Sequence, residues 1–412
     1  MPPGTIPIPT SMQIYTVGGA VRDTLLGLPV KDRDYVVVGA TPEQMVALGY
    51  TPVGKDFPVF LHPHTHEEYA LARTERKTAP GYRGFVFHAD GAVTLEEDLV
   101  RRDLTINAMA LSESGVLVDP FGGRVDLERR LFRHVSDAFI EDPVRILRVA
   151  RFAARFTEFT VEASTNILMQ RMVAAGEVDA LVPERVWQEL ARGLMEAQPS
   201  RMFAVLRACG ALARLLPELD RMWTIQRPDN DTIGAHCMHS IDEAARQNLA
   251  LPIRFAALLC NIDGTGSVPD TDADAQRQQI DALAARLKIP NECRDLAVMT
   301  VRELACINQA LSASATELVG LIERCDGLRK PDRFLDMLRV VECSQRVQST
   351  KPAMPVTRLL IELLAAARAV DAGEIALRCK HNPALIPQQI RTARIDAVDL
   401  AIATIRSADA TQ

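Results

Sequence analysis

The sequence predicts an α+β protein, a small head built on a mixed β-sheet followed by a longer, wholly helical remainder. Three observations lead there. Short β-branched runs punctuated by Gly, Pro and Asp fill roughly the first 130 residues. Beyond them Ala, Leu, Arg and Glu recur at helical spacing, broken at Pro183, Pro217, Pro228, Pro252, Pro290 and Pro331. A chain of 412 residues with 48% hydrophobic content can bury more than one core.

Taken in order, Met1 to Ser11 is Pro-rich and carries no function; Met12 serves equally well as a start. Gln13 to Val17 and Asp34 to Val38 read as strands, with a short helix from Ala20 to Leu26 between them. Thr41 and Pro42 fit an N-cap and first helical position. Val59 to Leu61 and Glu68 to Arg73 read as further strands, and the polar stretch from Thr74 to Val93 as a mobile loop. Thr94 to Glu97 forms a capping-box sequence for the next helix. There is no internal repeat.

Bulk properties exclude several classes. The longest mostly apolar stretch, Leu359 to Val370, is interrupted by Glu362 and Arg368 and falls short of the roughly 20 residues a bilayer needs. With no signal-peptide series at the N-terminus, a cytoplasmic location is expected. The eight cysteines have no CxxC spacing, so neither a zinc ribbon nor a disulfide framework is indicated. A net charge of −6 gives no general attraction to nucleic acid, yet leaves room for a local basic face.

Chemistry concentrates between Gly18 and Arg155. Asp32-Arg33-Asp34 enters a strand, where side chains at i and i+2 share a face, so two parallel carboxylates could hold Mg²⁺. Alone, such a triplet is more often a solvated turn. Its coupling to Gly18-Gly19 and Arg22 reverses that reading: the glycines end a strand and open a helix, so backbone N–H groups could meet a phosphate. No GxGxxG is present, which argues against a dinucleotide fold.

Glu141-Asp142-Pro143-Val144-Arg145 begins a helix with Asp142 as N-cap and Pro143 at the first position. Arg145, Arg148, Arg151 and Arg155 then recur every three or four residues. On spacing alone, a nucleotide-binding face and a solvated basic stripe fit equally well. Hydrogen-bond arithmetic makes the Asp142 and Arg145 pair suggestive. Cytosine and adenine both set an amino donor beside an unprotonated ring nitrogen, which a carboxylate next to a guanidinium matches; guanine and uracil present the reverse. An Asp142/Arg145 pair would select C and A. Arg101-Arg102-Asp103 offers cations for a triphosphate and an acid for a ribose hydroxyl, although a charged helix terminus explains that run as well.

These ordered motifs closely resemble class II bacterial CCA-adding enzymes of the DNA polymerase β nucleotidyltransferase superfamily. The match runs through Gly18 to Asp23, Lys31 to Asp34, Lys55 to His62, Glu68 to Lys77, Arg101 to Ala108, Asp119 to Gly123 and Glu141 to Arg145. The resemblance implies Mg²⁺ on Asp32 and Asp34. It implies nucleotide contacts from Gly19, Arg22, Arg102, Arg148 and Arg151, ribose sensing by Asp103, and base selection by Asp142 with Arg145.

It also implies a catalytic head at 12–140, a nucleotide-selecting helical neck at 141–200, a helical body at 201–350 and a tRNA-binding tail at 351–412. The expected reaction joins C, C and A from CTP and ATP to a tRNA 3′ end, with pyrophosphate leaving. One metal would activate the attacking oxygen and another support the leaving group.

Departures from that pattern matter. Many members carry an HD phosphohydrolase site, but here Cys260-Asn261 stands where its His-Asp doublet belongs, and no histidine lies between His239 and His381. No phosphohydrolase activity is expected, and His236 and His239 read as packing residues. His62, His64 and His66 alternate as strand ligands would, but Pro63 argues for a turn. Rival readings are a CC-adding, A-adding or poly(A)-adding enzyme on the same scaffold, or a tRNA-binding protein without catalysis. The tail lacks the basic run that poly(A) synthesis suggests, and the 73–93 segment is full length, unlike the shortened loop a CC-adding enzyme suggests.

Overall fold

A computed structural model describes residues 12–53, 59–77, 85–88, 92–228, 230–262, 273–346 and 355–409. It forms two compact units, one comprising the chain to Val186 with Ala204–Leu215, the other Trp187–Phe203 with Leu216–Gln412.

The first unit opens with β1 (Gln13–Val17), α1 (Gly19–Leu25) and β2 (Asp34–Val38), followed by α2 (Pro42–Ala47), β3 (Thr51–Val53), β4 (Val59–Leu61) and β5 (Glu68–Leu71). Next come β6 (Thr74–Lys77), β7 (Phe85–His88), α3 (Leu95–Val100), β8 (Ala110–Ser112) and β9 (Leu117–Val118). Seven strands make one mixed sheet in the order β3-β4-β5-β2-β1-β8-β9, in which only the β2–β5 pair is parallel.

Alternation along β2 explains the sheet's two cores. Val37 joins Met45 of α2, Phe60, Tyr69 and Leu71 on one face, while Val36 joins Val17, Leu99 of α3, Ala108 and Ala110 on the other. Asp34 shares the parity of Val36, so it belongs to the α3 face. The expected capping box of Thr94 with Glu97 starts α3, and Thr41, expected as an N-cap, forms a second capping box with Gln44 at the start of α2.

After β9 follow α4 (Gly123–Glu128), β10 (Leu131–Phe132), α5 (Val144–Arg155), β11 (Thr160–Val161), α6 (Ala163–Ala174) and α7 (Pro183–Leu194). The Asp119 carboxylate accepts from the N–H groups of Gly123 and Arg124 at 2.7 and 2.9 Å, fixing the start of α4. A side chain at Gly123 is sterically barred, because its Cβ would lie 2.2 Å from the Thr105 carbonyl oxygen.

Three expectations shift. Residues 74–88 are not a plain loop: β6 and β7 pair antiparallel as a separate ribbon, from Thr74↔His88 to Lys77↔Phe85, while 78–84 and 89–91 lie outside the described residues. β2 begins at Asp34, so Asp32 precedes the strand and alternation does not govern its direction. α5 begins at Val144, because a 3-10 turn over Asp137–Glu141 leads into it and places Pro143 at the cap. The Asp142 carboxylate still accepts from the Val144 N–H at 3.1 Å.

The second unit is helical throughout the described residues. Among the described residues no helix is long and apolar enough to cross a membrane.

Candidate active site

Sheet register assembles the site. Asp34 faces Val17 on one side and Glu68 on the other, so the Gly18-Gly19 turn leaving β1 sits beside the first residue of β2. Gly18 has φ +66°, a conformation that strains other residues, and a Cβ there would come within 2.9 Å of the Arg102 guanidinium, which would have to move. Gly19 opens α1 and carries the first N–H of that helix. Asp32 and Asp34 are exposed, and among the described residues neither carboxylate has a hydrogen-bond or ion-pair partner. No group of three or more His, Cys, Asp or Glu side chains capable of holding a metal occurs among the described residues.

Behind this open edge lies a buried network of alternating charge. Arg22, 3% exposed, donates from Nε to Asp23 at 2.8 Å and from Nη1 to Asn107 Oδ1 at 2.6 Å, and its guanidinium lies 5.1 and 5.0 Å from the Phe152 and Phe156 ring centres. Burial lowers its pKa, and Asp23 works against that. The other oxygen of Asp23 accepts from Arg155 at 2.8 Å. Asn107 Nδ2 donates to Asp103 Oδ1 at 3.0 Å, and Arg148 Nε donates to Asp103 Oδ2 at 2.8 Å. Burial alone would raise the Asp103 pKa. The Arg148 charge and the hydrogen bonds from Asn107 and Arg148 overrule it, holding the carboxyl well below the usual range.

Arg22 is therefore fixed in the interior rather than presented at the surface. Arg148 and Arg151 are half-buried, each beside the Phe152 ring, at 5.7 and 4.8 Å from its centre. Arg102 donates to the buried Asp98 at 3.2 Å, and its Nε is buried with no hydrogen-bond partner. Arg101 turns away from solvent to Asp98 and to the Arg73 carbonyl, which removes it as a free triphosphate ligand.

Asp142 and Arg145 do not face each other. Both Asp142 oxygens are taken by Arg185 of α7, at 3.3 Å from Nη1 and 2.9 Å from Nη2. Arg145, 8% exposed, donates to the carbonyls of Ala138 and Arg101 at 2.7 and 2.6 Å. Three participants thus escape the sequence reading: Asp98, Asn107 and Arg185. Asp98 stands three and four residues before the arginines it binds, a helical spacing that could have disclosed it. Arg185 lies 43 residues from Asp142 and leaves no local signal.

In the second unit, the helix Ile233–Arg246 turns His236 inward (2% exposed) and His239 outward. His236 Nε2 lies 2.9 Å from Ser344 Oγ, and Asn261 Nδ2 lies 3.2 Å from Cys260 Sγ and 3.5 Å from the same Ser344. Burial pushes the Cys260 thiol up to about 11 and the Cys237 thiol well above its ordinary value, so both remain protonated. In the first unit, His62 caps a turn: its Nδ1 accepts from the N–H groups of His64 and Thr65 at 3.3 and 3.2 Å.

Known proteins match this chain over nearly its whole length. A family described as the poly A polymerase head domain covers residues 14–133, and one described as a probable RNA and SrmB-binding site of polymerase A covers 158–222. A multifunctional CCA protein of Herminiimonas arsenicoxydans is 61% identical over 414 residues, spanning 96% of this chain and all of that protein. Its counterpart in Janthinobacterium sp. (strain Marseille) is 60% identical over 409 residues, 95% and 98% of the two chains.

Solved structures share the fold. A CCA-adding enzyme in apo form II superposes with TM-score 0.70 at 20% identity, over 97% of this chain and 92% of that one. The Thermotoga maritima CCA-adding enzyme complexed with tRNA gives 0.64 at 19% identity, covering 96% and 92%. The Bacillus stearothermophilus enzyme in complex with CTP also gives 0.64, at 23% identity, covering 97% and 95%.

Proposed function

The chain belongs to the multifunctional CCA proteins, which are CCA-adding tRNA nucleotidyltransferases, and from that premise we propose how its own residues extend a tRNA 3′ end with C, C and A. The observation that carries the reading is the exposed, unpartnered pair Asp32 and Asp34 beside the Gly18-Gly19 turn, backed by the arginine-bearing helix α5.

Asp32 and Asp34 would hold Mg²⁺. Two oxygen donors with no cation of their own suit a hard ion that completes its shell with water and substrate phosphates. Bound there, the ion would neutralise phosphate charge and acidify the attacking hydroxyl. The tRNA 3′-oxygen bonds to the α-phosphorus of CTP or ATP, the bond to the β-phosphate oxygen breaks, pyrophosphate leaves, and the hydroxyl proton passes to solvent. Arg102, Arg148 and Arg151, with the backbone of Gly19, bind the triphosphate. Arg22 acts from beneath them: its bond to Asn107 holds the partner that orients Asp103. Asp103 Oδ2 accepts one bond from Arg148 and keeps a lone pair for a ribose hydroxyl.

Asp142 and Arg145 select the base by matching the amino group and ring nitrogen that C and A share. Asp142 must then exchange or share its bond to Arg185 as the nucleotide arrives. The acceptor arm of tRNA, gripped by the tail at 351–412, and the nucleotides CTP and ATP are the partners, and a cytoplasmic enzyme meets all three. The head at 12–140, neck at 141–200 and body at 201–350 divide the remaining work.

The chain has no HD phosphohydrolase activity. What supports this is the chemistry of the doublet position: Asn261 and Cys260, the latter kept protonated by burial, stand there in place of His and Asp, and Asn261 and His236 both reach Ser344. Metal-dependent release of phosphate from 2′,3′-cyclic AMP, lost on His236→Ala, would overturn this statement. The polymerase reading is tested by incubation with tRNA lacking its CCA end. CTP alone should add two residues, and CTP with ATP should add three. A run of A residues, or arrest at two with both nucleotides present, would replace it with a sister activity.

A further inference from the structure

Where α1 and α5 end, the segments that leave them enclose a cleft of about 440 Å³. Leu26, Leu28 and Pro29, on the way to β2, form one apolar wall, and Phe156 and Phe159, on the way to β11, form the other. Backbone bonds hold both walls in place. The Leu28 N–H donates to the Asp23 carbonyl at 2.8 Å, and the N–H groups of Phe156 and Phe159 donate to the carbonyls of Phe152 and Phe156 at 2.8 and 3.0 Å. Small-molecule sites occupy about 300–1,000 Å³ and combine an apolar lining with a few placed polar groups, and this cleft has both properties. Here the polar groups are Lys31, Arg155, Thr157 and Glu158. Arg130 pairs with the Glu158 carboxylate and neutralises it. Lys31 is exposed, and among the described residues its ammonium has no hydrogen-bond or ion-pair partner. Arg155 gives one N–H to Asp23 at 2.8 Å, and Asp23 also holds Arg22. A guanidinium has five N–H donors, so Arg155 can bind an anion without leaving Asp23. Lys31, Arg155 and Arg22 set against the single carboxylate of Asp23 leave a positive surplus. The C-termini of the two helices oppose it with at most about half a negative charge each, which is too little to cancel it.

We propose that this cleft binds a small amphipathic anion, its acidic headgroup between Lys31 and Arg155 and its apolar body between the leucines and the phenylalanines. An apolar body fits the walls better than a nucleobase does. Leu26, Leu28, Pro29, Phe156 and Phe159 offer no side-chain partner to the donors and acceptors of a base edge, and burying those unpaired is costly. None of the residues assigned to Mg²⁺ or to the nucleotide lines the cleft, so it is a second site. Its occupant nevertheless touches Arg155, which is bonded to the same carboxylate as Arg22.

The probe is anilinonaphthalene sulfonate, a fluorescent aromatic anion, titrated into the folded full-length protein with Mg²⁺ present. Its fluorescence should rise saturably with a single class of site and persist in saturating CTP. The uncharged counterpart, phenylnaphthylamine, should bind about tenfold more weakly, having no headgroup for the two cations. Lys31→Ala removes one of those cations, and Leu28→Asp sets a carboxylate in the apolar wall. Each should weaken binding of the sulfonate by about tenfold. Lys31 adjoins Asp32, so the CTP arm is the critical one: displacement by CTP would place the probe in the nucleotide site and overturn the proposal. Absence of saturable binding, equal affinity for the charged and uncharged probes, or wild-type affinity in both variants would overturn it as well. Leu28 is already 39% exposed, so Leu28→Asp should fold, which a circular dichroism melt checks. If it does not, Lys31→Ala decides by the same criterion.

Discussion

Each unit of this molecule encloses a cluster of buried polar side chains. In the first unit acidic and basic side chains, Asp23, Arg22, Asp103 and Arg148, are linked in series, with Asn107 joining the two pairs. In the second, His236 lies against Ser344, and Asn261 against Ser344 and Cys260, four side chains none of which is an Asp, Glu, Lys or Arg. Both satisfy their donors and acceptors, as buried groups must. The difference lies in the groups used: the first cluster is built on Asp and Arg side chains, whose charges act strongly in a low-dielectric interior, and the second is not.

That contrast can be broken most decisively at its open edge. Asp34→Ala should abolish incorporation of both C and A while leaving tRNA binding, followed by filter retention, within about twofold; substantial Mg²⁺-supported turnover would remove Asp34 from the metal site. Inside the charged cluster, Asn107→Ala strips an acceptor from Arg22 and a donor from Asp103. Urea unfolding should show a loss of about 2–4 kcal/mol, and a change under 0.5 kcal/mol would mean that the network is relaxed rather than taut.

Acid sharpens the comparison further. The folded pKa of Asp103 lies below its unfolded value of about 3.9, so its stabilising contribution is full above that value and lost as pH falls toward the folded one. Asp103→Asn should lower stability at neutral pH and flatten the decline below about pH 4; an unaltered acid limb would contradict this. The smallest effect belongs to the second cluster. Ser344→Ala should cost about 1–2 kcal/mol by leaving polar atoms of His236 and Asn261 less satisfied, with nucleotide addition unchanged. Any parallel fall in addition would show the second cluster to be less silent than its chemistry suggests.

Local rules made much of the fold legible. Capping sequences at Thr41 and Thr94 disclosed two helix starts, and β-branched runs disclosed β1 and β2 to the residue. The β6–β7 ribbon escaped because β6, Thr-Glu-Arg-Lys, has no apolar residue to alternate, and the Phe85-Val86-Phe87 run of β7, a strand signal by itself, is short and set among Gly and polar residues. The candidate site was legible as a set of residues but not as an arrangement. Spacing suggests Asp142 and Arg145 as partners one helical turn apart, yet their bonds run to Arg185, Ala138 and Arg101, chosen by tertiary packing that one-dimensional spacing does not encode.

The bare Cα of Gly123 has an effect reaching beyond its own motif. Filling that point would push Thr105 outward, and the short turn from Thr105 to Asn107 carries the amide that joins Arg22 to Asp103. A saturation-mutagenesis map of this enzyme should therefore show a dead column at position 123 as dark as those at the two aspartates. It would record a vacancy that evolution cannot let, rather than a reagent it cannot spare.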